Sequence, residues 1–149
     1  MPISKVLFSS NSDEWETPQS LFDELNKEFN FTLDPCATKE NAKCVTYFTK
    51  EDNGLIQDWG INCNQDEAVF VNPPYSDIYS WVSKAFDEQC KVVMLIPART
   101  CTRWFHEFIW DRVGHKPRYG AQVRFIKGRL KFNGSKNSAP FPSMVVVFN

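Results

Sequence analysis

The first periodic stretch of apolar residues predicts a helix near the start of the chain. Its apolar members recur at helical spacing: Leu21, Phe22, Leu25 and Phe29. Thr17 suits the N-cap and Pro18 the first helical position, because a hydroxyl can cap a free amide and proline needs no amide partner there. Asn30 ends the pattern. Residues 1–14 show no such period, and we expect them to be loosely ordered.

Short apolar runs elsewhere predict strands, and two more apolar stripes predict helices. The strand runs cover residues 31–33, 44–49, 68–71, 92–96 and 143–148. The run at 92–96 is continuous, which is typical of a parallel strand covered on both faces. Ser76 or Asp77 caps a helix with apolar Ile78, Trp81, Val82, Ala85 and Phe86, and Thr102 caps one with Trp104, Phe105, Phe108 and Ile109.

The last third of the chain has a different pattern. Residues 111–122 indicate a loop, and residues 123–126 and 129–132 flank Lys127-Gly128, which is a hairpin signature. Strands that alternate with helices and then give way to a strand-rich end predict an α/β fold. We expect a single domain with a mostly parallel sheet and an antiparallel C-terminal edge. A length of 149 residues suits one domain.

Composition narrows the class of protein. There is no apolar run long enough to span a membrane and no basic-then-apolar leader, so we expect a cytoplasmic protein. The five cysteines include no pair at Cys-x2–4-Cys spacing, so we expect buried structural thiols and no metal site.

The charges are unevenly distributed. All 18 acidic residues lie at or before Asp111, whereas eight of the 17 Lys and Arg residues follow it. A region with one sign of charge favours a polyanionic partner. The alternative is a basic C-terminal region that packs against the acidic part of the same chain.

The run at 68–71 ends at the turn Asn72-Pro73-Pro74-Tyr75. The prolines hold this turn in an extended, stiff conformation just past the carboxyl end of a strand, where ligands bind in open α/β sheets. The Asn72 amide oxygen and the Pro73 carbonyl can accept both hydrogens of one exocyclic amino group, and the Tyr75 ring can stack on the base that carries it. The alternative is an exposed turn in which Asn72 makes a local hydrogen bond.

Acidic residues follow two other predicted elements. Asp34, fixed by Pro35, ends a strand and could bind a cationic amine or a ribose hydroxyl, although an Asp-Pro turn is also ordinary turn chemistry. Asp58 places a second carboxylate near the same site.

Four motifs in this order carry a resemblance to a known family: Trp15-x-Thr17-Pro18, Asp34-Pro35-Cys36-Ala37, Asn72-Pro73-Pro74-Tyr75 and Ile126-Lys127-Gly128-Arg129-Leu130-Lys131-Phe132. From about Trp15 to Phe148 the chain resembles the phage-type DNA N6-adenine methyltransferases, the Dam family of bacteriophages and prophages. The resemblance implies S-adenosylmethionine as methyl donor and a Rossmann-like methyltransferase fold. It also implies a host cell that is bacterial and a gene that belongs to a phage or prophage.

The resemblance assigns roles to residues. It implies catalysis by Asn72, Pro73, Pro74 and Tyr75, and donor binding by Trp15, Thr17, Pro18, Asp34, Pro35, Cys36, Asp52, Asp58 and Asn72. Asp52 would bind the donor ribose and Asp58 its adenine, or either is a surface carboxylate. The loop after the first strand contains no glycine at 37–40, so its shape must differ from the glycine-rich turn of many methyltransferases.

The expected reaction is methyl transfer to N6 of an adenine flipped out of double-stranded DNA. The chain is too short for a separate target-recognition domain, so loops at 98–106 and 112–136 must read the DNA. The candidate DNA contacts are Arg99, Arg103, Arg112, Lys116, Arg118, Arg124, Lys127, Arg129 and Lys131. A monomer is expected, with a weak dimer possible. The alternatives are an RNA base, cytosine N4 or a protein glutamine as acceptor, and a silent nucleic-acid-binding module.

Overall fold

A computed structural model describes residues 15–149. The protein is built around a six-stranded sheet with helices on both faces. The expectation of a loose start at residues 1–14 lies outside the described residues. The sheet strands are β1 (Phe31–Asp34), β2 (Thr46–Tyr47), β3 (Ala68–Val71), β4 (Val92–Pro97), β7 (Ala121–Phe125) and β8 (Ser143–Phe148), in the order β2-β1-β3-β4-β8-β7. A separate small hairpin joins β5 (Trp110–Asp111) to β6 (Lys116–Pro117).

The strand directions confirm a mostly parallel sheet with an antiparallel edge. The first four sheet strands are mutually parallel, β8 is antiparallel to β4, and β7 is antiparallel to β8. The chain leaves β1 toward β2 on one side and leaves β3 toward β4 on the other. The crevice between β1 and β3 is therefore the topological switch point, where open α/β sheets bind ligands.

Two apolar layers cover the sheet. Helix α1 (Gln19–Phe29) packs on one face, and α2 (Ile78–Asp87) with the π-helical turn Phe105–Ile109 packs on the other. Single 3-10 turns occur at Gly54–Ile56, Gly60–Asn62 and Tyr75–Asp77. A bulge between Phe31 and Leu33 moves these residues, which are two apart, to opposite faces. Across residues 15–149, every helix is too short or too polar to cross a membrane.

The helix ends agree with the sequence pattern at most positions. Asn30 closes α1 in a left-handed conformation, Asp77 is the N-cap of α2, and Thr102 Oγ1 accepts the Phe105 amide at 3.4 Å. The expectation that Thr17 caps α1 is wrong. Pro18 is the N-cap, and its carbonyl accepts the Phe22 amide at 3.1 Å.

Three strand and loop expectations also need correction. The strand expected at 44–49 is only β2, and the loop expected at 111–122 contains the β5–β6 hairpin and the start of β7. The hairpin expected around Lys127-Gly128 is wrong, because β7 pairs with β8 instead. The segment after β7 bonds elsewhere: Asn133 N–H donates to the Glu16 carbonyl at 3.0 Å, and Phe132 is buried against Trp15.

Candidate active site

The carboxyl ends of β1, β3 and β4 bring three candidate segments to one edge of the sheet. Asp34 ends β1, Asn72 follows β3, and Arg99 lies just beyond β4. Because β1 and β3 are direct neighbours, Asp34 and Asn72 lie on either side of the switch-point crevice. Among the described residues, three polar or charged ones are buried: Thr17, Asp34 and Ser143. All three belong to this edge or to the segment that contacts it.

The Asn72 amide is held in one orientation by the segment before α1. Its Nδ2 donates to the Trp15 carbonyl and, at 2.9 Å, to Thr17 Oγ1. A carbonyl oxygen can only accept, so the nitrogen must face Trp15. The Oδ1 atom then lies on the other side of the amide, buried and without a hydrogen-bond partner. A fixed amide with an unused acceptor can bind a ligand N–H.

Asp34 shapes the loop that follows β1. Its carboxylate accepts the Lys43 amide at 3.1 Å and the Cys36 amide at 3.4 Å. Burial is the main cause that raises the Asp34 pKa from 3.8 to about 6. These bonds close the loop around a carboxylate, which explains how it forms without a glycine. Cys36 and Cys44 lie beside it, and burial together with the Asp34 charge raises each thiol pKa to about 12, so both stay protonated.

Asp52 and Asp58 occupy different surroundings. A Cβ added to Gly54 would lie 2.1 Å from the Pro35 carbonyl oxygen, so the 3-10 turn after Asp52 packs directly on the loop that follows β1. Asp52 itself accepts the Thr49 amide at 2.9 Å. Asp58 instead accepts the Gly60 amide at 2.9 Å and shares a surface cleft with Lys84 and Glu88 near the C-terminal end of α2.

The structure does not bring Asp58 beside Asn72. The two residues lie near opposite ends of α2, whose ten residues span about 15 Å. The expected contact between Asp58 and the donor adenine stays a prediction.

An aromatic cluster surrounds the turn after β3. Trp15 lies 5.3 Å from both Phe132 and Phe141, measured between ring centroids, and Tyr75 meets Phe141 edge-on at 5.5 Å. The Tyr75 hydroxyl is buried without a partner, and burial raises its pKa. Phe132 and Phe141 were not identified from the sequence as site residues. They reach the site from the long connection between β7 and β8.

Comparison with known proteins shows the family of this chain. A model of the family described as DNA N-6-adenine-methyltransferase (Dam) matches residues 4–149. The chain belongs to the Dam family. A DNA N-6-adenine-methyltransferase of Haemophilus phage HP1 (strain HP1c1) is 30% identical over 145 residues, which cover 93% of this chain and 80% of that protein. One of Escherichia phage T1 is 34% identical over 99 residues, covering 64% of this chain and 40% of that protein.

Four buried side-chain atoms in the described part of this Dam-family chain lack a hydrogen-bond partner: Asn72 Oδ1, Tyr75 Oη, His106 Nδ1 and Ser143 Oγ. Buried polar atoms are almost always paired, so each of these needs an explanation. Ser143 pairs with Pro97 at the carboxyl end of β4, so it also lies at this edge. Ser143 was missed because it begins an otherwise apolar strand.

The basic residues predicted to bind DNA divide into paired and exposed groups. Arg124 forms a two-bond ion pair with Glu28 at 2.7 and 2.6 Å and lies over the Phe29 ring. Its expected contact with a DNA phosphate would have to compete with this ion pair. Arg103 binds Glu107 at 3.2 Å and covers the Tyr79 ring. The remaining members are exposed: Arg99, Arg112, Lys116, Arg118, Lys127, Arg129 and Lys131.

Proposed function

We propose that this chain transfers a methyl group from S-adenosylmethionine to N6 of an adenine in double-stranded DNA. Membership of the Dam family supports the reaction and its acceptor. The observation that carries the residue assignment is the Asn72 amide, whose nitrogen is bound by the protein and whose buried oxygen has no partner. An adenine amino group supplies the N–H donor that this oxygen lacks.

The residues at the switch point fit the methyl donor. S-adenosylmethionine supplies a methyl group on a positively charged sulfur and carries an ammonium and a ribose. Asp34 is a buried carboxylate whose pKa is raised mainly by burial, and a cationic amine bound beside it would offset the cost of its charge. Trp15, Thr17 and Pro18, with the loop Pro35-Cys36, would form the walls, and Asp52 is the candidate for the ribose. The mixed α/β sheet with its crevice between β1 and β3 supports a Rossmann-like methyltransferase fold.

The protein acts mainly on the acceptor nitrogen. The lone pair of adenine N6 is delocalised into the ring, which makes the nitrogen a poor nucleophile. Hydrogen bonds from N6–H to Asn72 Oδ1 and the Pro73 carbonyl favour a pyramidal nitrogen and stabilise the positive charge that develops on it. The methyl–sulfur bond breaks as the new N–C bond forms, which would leave S-adenosylhomocysteine. N6 then loses one proton and keeps the other as the N–H of N6-methyladenine. Fixing both reactants in line supplies much of the remaining acceleration.

The target adenine must leave the duplex, because N6 is inaccessible to an enzyme inside the base stack. Stacking on the Tyr75 ring would return about 1–3 kcal/mol of the unstacking cost. We propose one catalytic domain, in which exposed basic loops contact phosphates.

The experiment that tests this proposal identifies the methylated nucleoside. The purified protein is incubated with methyl-labelled S-adenosylmethionine and DNA from a methylation-deficient host, and the DNA is digested to nucleosides. We expect label in N6-methyladenine. Label in N4-methylcytosine would contradict the base assignment but retain the chemistry. Donor binding without any label in DNA would overturn the DNA acceptor, and RNA and protein amides would then be tested.

A further inference from the structure

The β5–β6 hairpin ends in a tip that is tightly closed by its own residues. Asp111 Oδ1 accepts the Val113 amide at 3.0 Å, and a hydrogen bond from the Gly114 amide is the main cause that lowers the Asp111 pKa. A Cβ on Gly114 would lie 2.7 Å from Asp111 Oδ2, so a larger residue here would require the Asp111 carboxylate to move. The tip is therefore fixed by three neighbouring residues.

This closed tip presents an aliphatic side chain to solvent. Val113 is 91% exposed, so it adds nothing to the apolar core. Its neighbours are basic or potentially basic: Arg112, His115 and Lys116 are all exposed. Asp111 is the one carboxylate on the hairpin, and it accepts hydrogen bonds from the Val113 and Gly114 amides. Val113 is thus an aliphatic side chain surrounded by basic residues. This combination suits insertion into double-stranded DNA, which has negatively charged phosphates outside and stacked, apolar bases inside.

The tip of the hairpin shares a cleft with the loop that follows β4, and this loop begins at the edge of the sheet that holds the candidate active site. Arg112 and Val113 line a cleft of ≈ 630 Å³ together with Cys101 and Thr102, which belong to the loop just beyond β4. Arg99 in the same loop is close enough to Tyr75 to lower the pKa of its hydroxyl against the larger effect of burial. The loop after β4 thus lies between the two, with Arg99 near Tyr75 and with Cys101 and Thr102 lining the same cleft as the hairpin tip.

We propose that the β5–β6 hairpin enters the DNA duplex beside the target and that Val113 fills the space that the flipped adenine leaves in the base stack. The inference rests on the proposed function, because only a reaction on a flipped base creates such a space. Apolar side chains that enter between base steps stabilise opened DNA in this way. A β-branched side chain on a rigid tip loses little conformational freedom when it inserts. Arg112, His115 and Lys116 then face the flanking phosphates.

The test compares two exposed valines on two substrates. Val113→Ala is measured against Val45→Ala, because Val45 is 100% exposed and lies beside β2 at the far edge of the sheet. The first substrate is a duplex that carries the target sequence mapped by the labelling experiment. The second is the same duplex with an abasic site opposite the target, so that the adenine is already unpaired. Both variants should unfold at the wild-type temperature, since surface substitutions rarely change stability.

We expect Val113→Ala to lower kcat/KM about tenfold on the paired duplex and less than about twofold on the abasic duplex. Val113→Leu, which keeps an aliphatic group, and Val45→Ala should match the wild type on both. Equal rates for Val113→Ala and wild type on the paired duplex would overturn the inference, as would an equal loss on both substrates. Failure of the proposed function is distinct, because wild-type protein would then methylate adenine in neither duplex.

Discussion

Within residues 15–149, some buried polar atoms at the carboxyl ends of the parallel strands lack partners, whereas polar groups near the amino ends bind one another. Asn72 Oδ1 and Ser143 Oγ are buried and unpaired at the first edge. At the second, Glu88 Oε1 accepts the Trp59 amide at 3.0 Å and pairs with Lys84 at 2.7 Å. A satisfied cluster serves stability, and an unsatisfied one keeps binding capacity for a ligand at some cost in stability. The sequence places acidic and amide residues at both edges. Only their hydrogen-bond partners in the structure distinguish the two edges.

The largest expected effect is on the methyl-transfer rate, when the unpaired acceptor of Asn72 is removed. Asn72→Ala removes the free acceptor and should lower the methyl-transfer rate by about 100- to 1000-fold, a loss typical of removing one preorganised hydrogen bond to a developing charge. Glu88→Ala should leave the rate per folded molecule unchanged but cost about 1–3 kcal/mol of unfolding free energy, because the Trp59 amide loses its partner.

Initial rates and thermal unfolding of the two variants measure both effects. Donor binding to Asn72→Ala, followed by calorimetry, controls for general damage to the site. Wild-type rates in Asn72→Ala would remove this residue from the reaction. A rate loss in Glu88→Ala would show that the amino edge also takes part.

The next effect concerns how Asn72 is oriented. Thr17 is 2% exposed, and its hydroxyl accepts one amide hydrogen of Asn72. Thr17→Val keeps the shape and removes that acceptor, so the amide can rotate and its oxygen is no longer fixed. We expect kcat to fall roughly 10- to 100-fold, whereas Thr17→Ser should retain most activity. A change in the KM for the donor alone, with kcat preserved, would show that Thr17 acts on the donor and not through Asn72.

The sequence predicted the positions of Asp34 and Asn72 because each follows a short apolar run and precedes a proline, and these local signals need no tertiary information. It did not predict that Phe141 and Ser143 lie at the site, since their place depends on β8 inserting antiparallel between β4 and β7. The prediction of a hairpin around Lys127-Gly128 was wrong for a similar reason. Phe132 fits a strand pattern, but its burial against Trp15, at the other end of the described chain, determines where that segment lies.

A smaller effect concerns the pH dependence of donor binding. Burial raises the Asp34 pKa from 3.8 to about 6, so the free protein at pH 5 holds this carboxyl mostly protonated. A cationic amine binds only the ionised form, and donor affinity should therefore rise about tenfold from pH 5 to pH 7. Calorimetric titration at several pH values measures it, and Asp34→Asn should weaken binding and flatten the profile.

The raised Asp34 pKa also affects the stability of the free protein, which should fall as the pH rises, whereas donor affinity should increase. Because the folded state binds this proton more tightly than the unfolded chain, the Asp34 contribution to stability is present below the unfolded pKa and is lost as pH rises through about 6. Donor affinity that is independent of pH in the wild type would show that Asp34 does not meet a cation.

The smallest expected effect is on DNA affinity, and it should differ between Arg124, which is paired with a carboxylate, and Arg112, which is exposed. Arg124 is paired with Glu28, and both side chains are partly exposed, so Arg124→Ala should change stability little and leave DNA affinity unchanged. Arg112 is exposed at the hairpin tip, and Arg112→Ala should weaken binding to all sequences and reduce the slope of log affinity against log salt by about one unit. Fluorescence anisotropy across a salt series measures both variants. An unchanged slope for Arg112→Ala, or a reduced slope for Arg124→Ala, would reverse the assignment of which basic residues face the DNA.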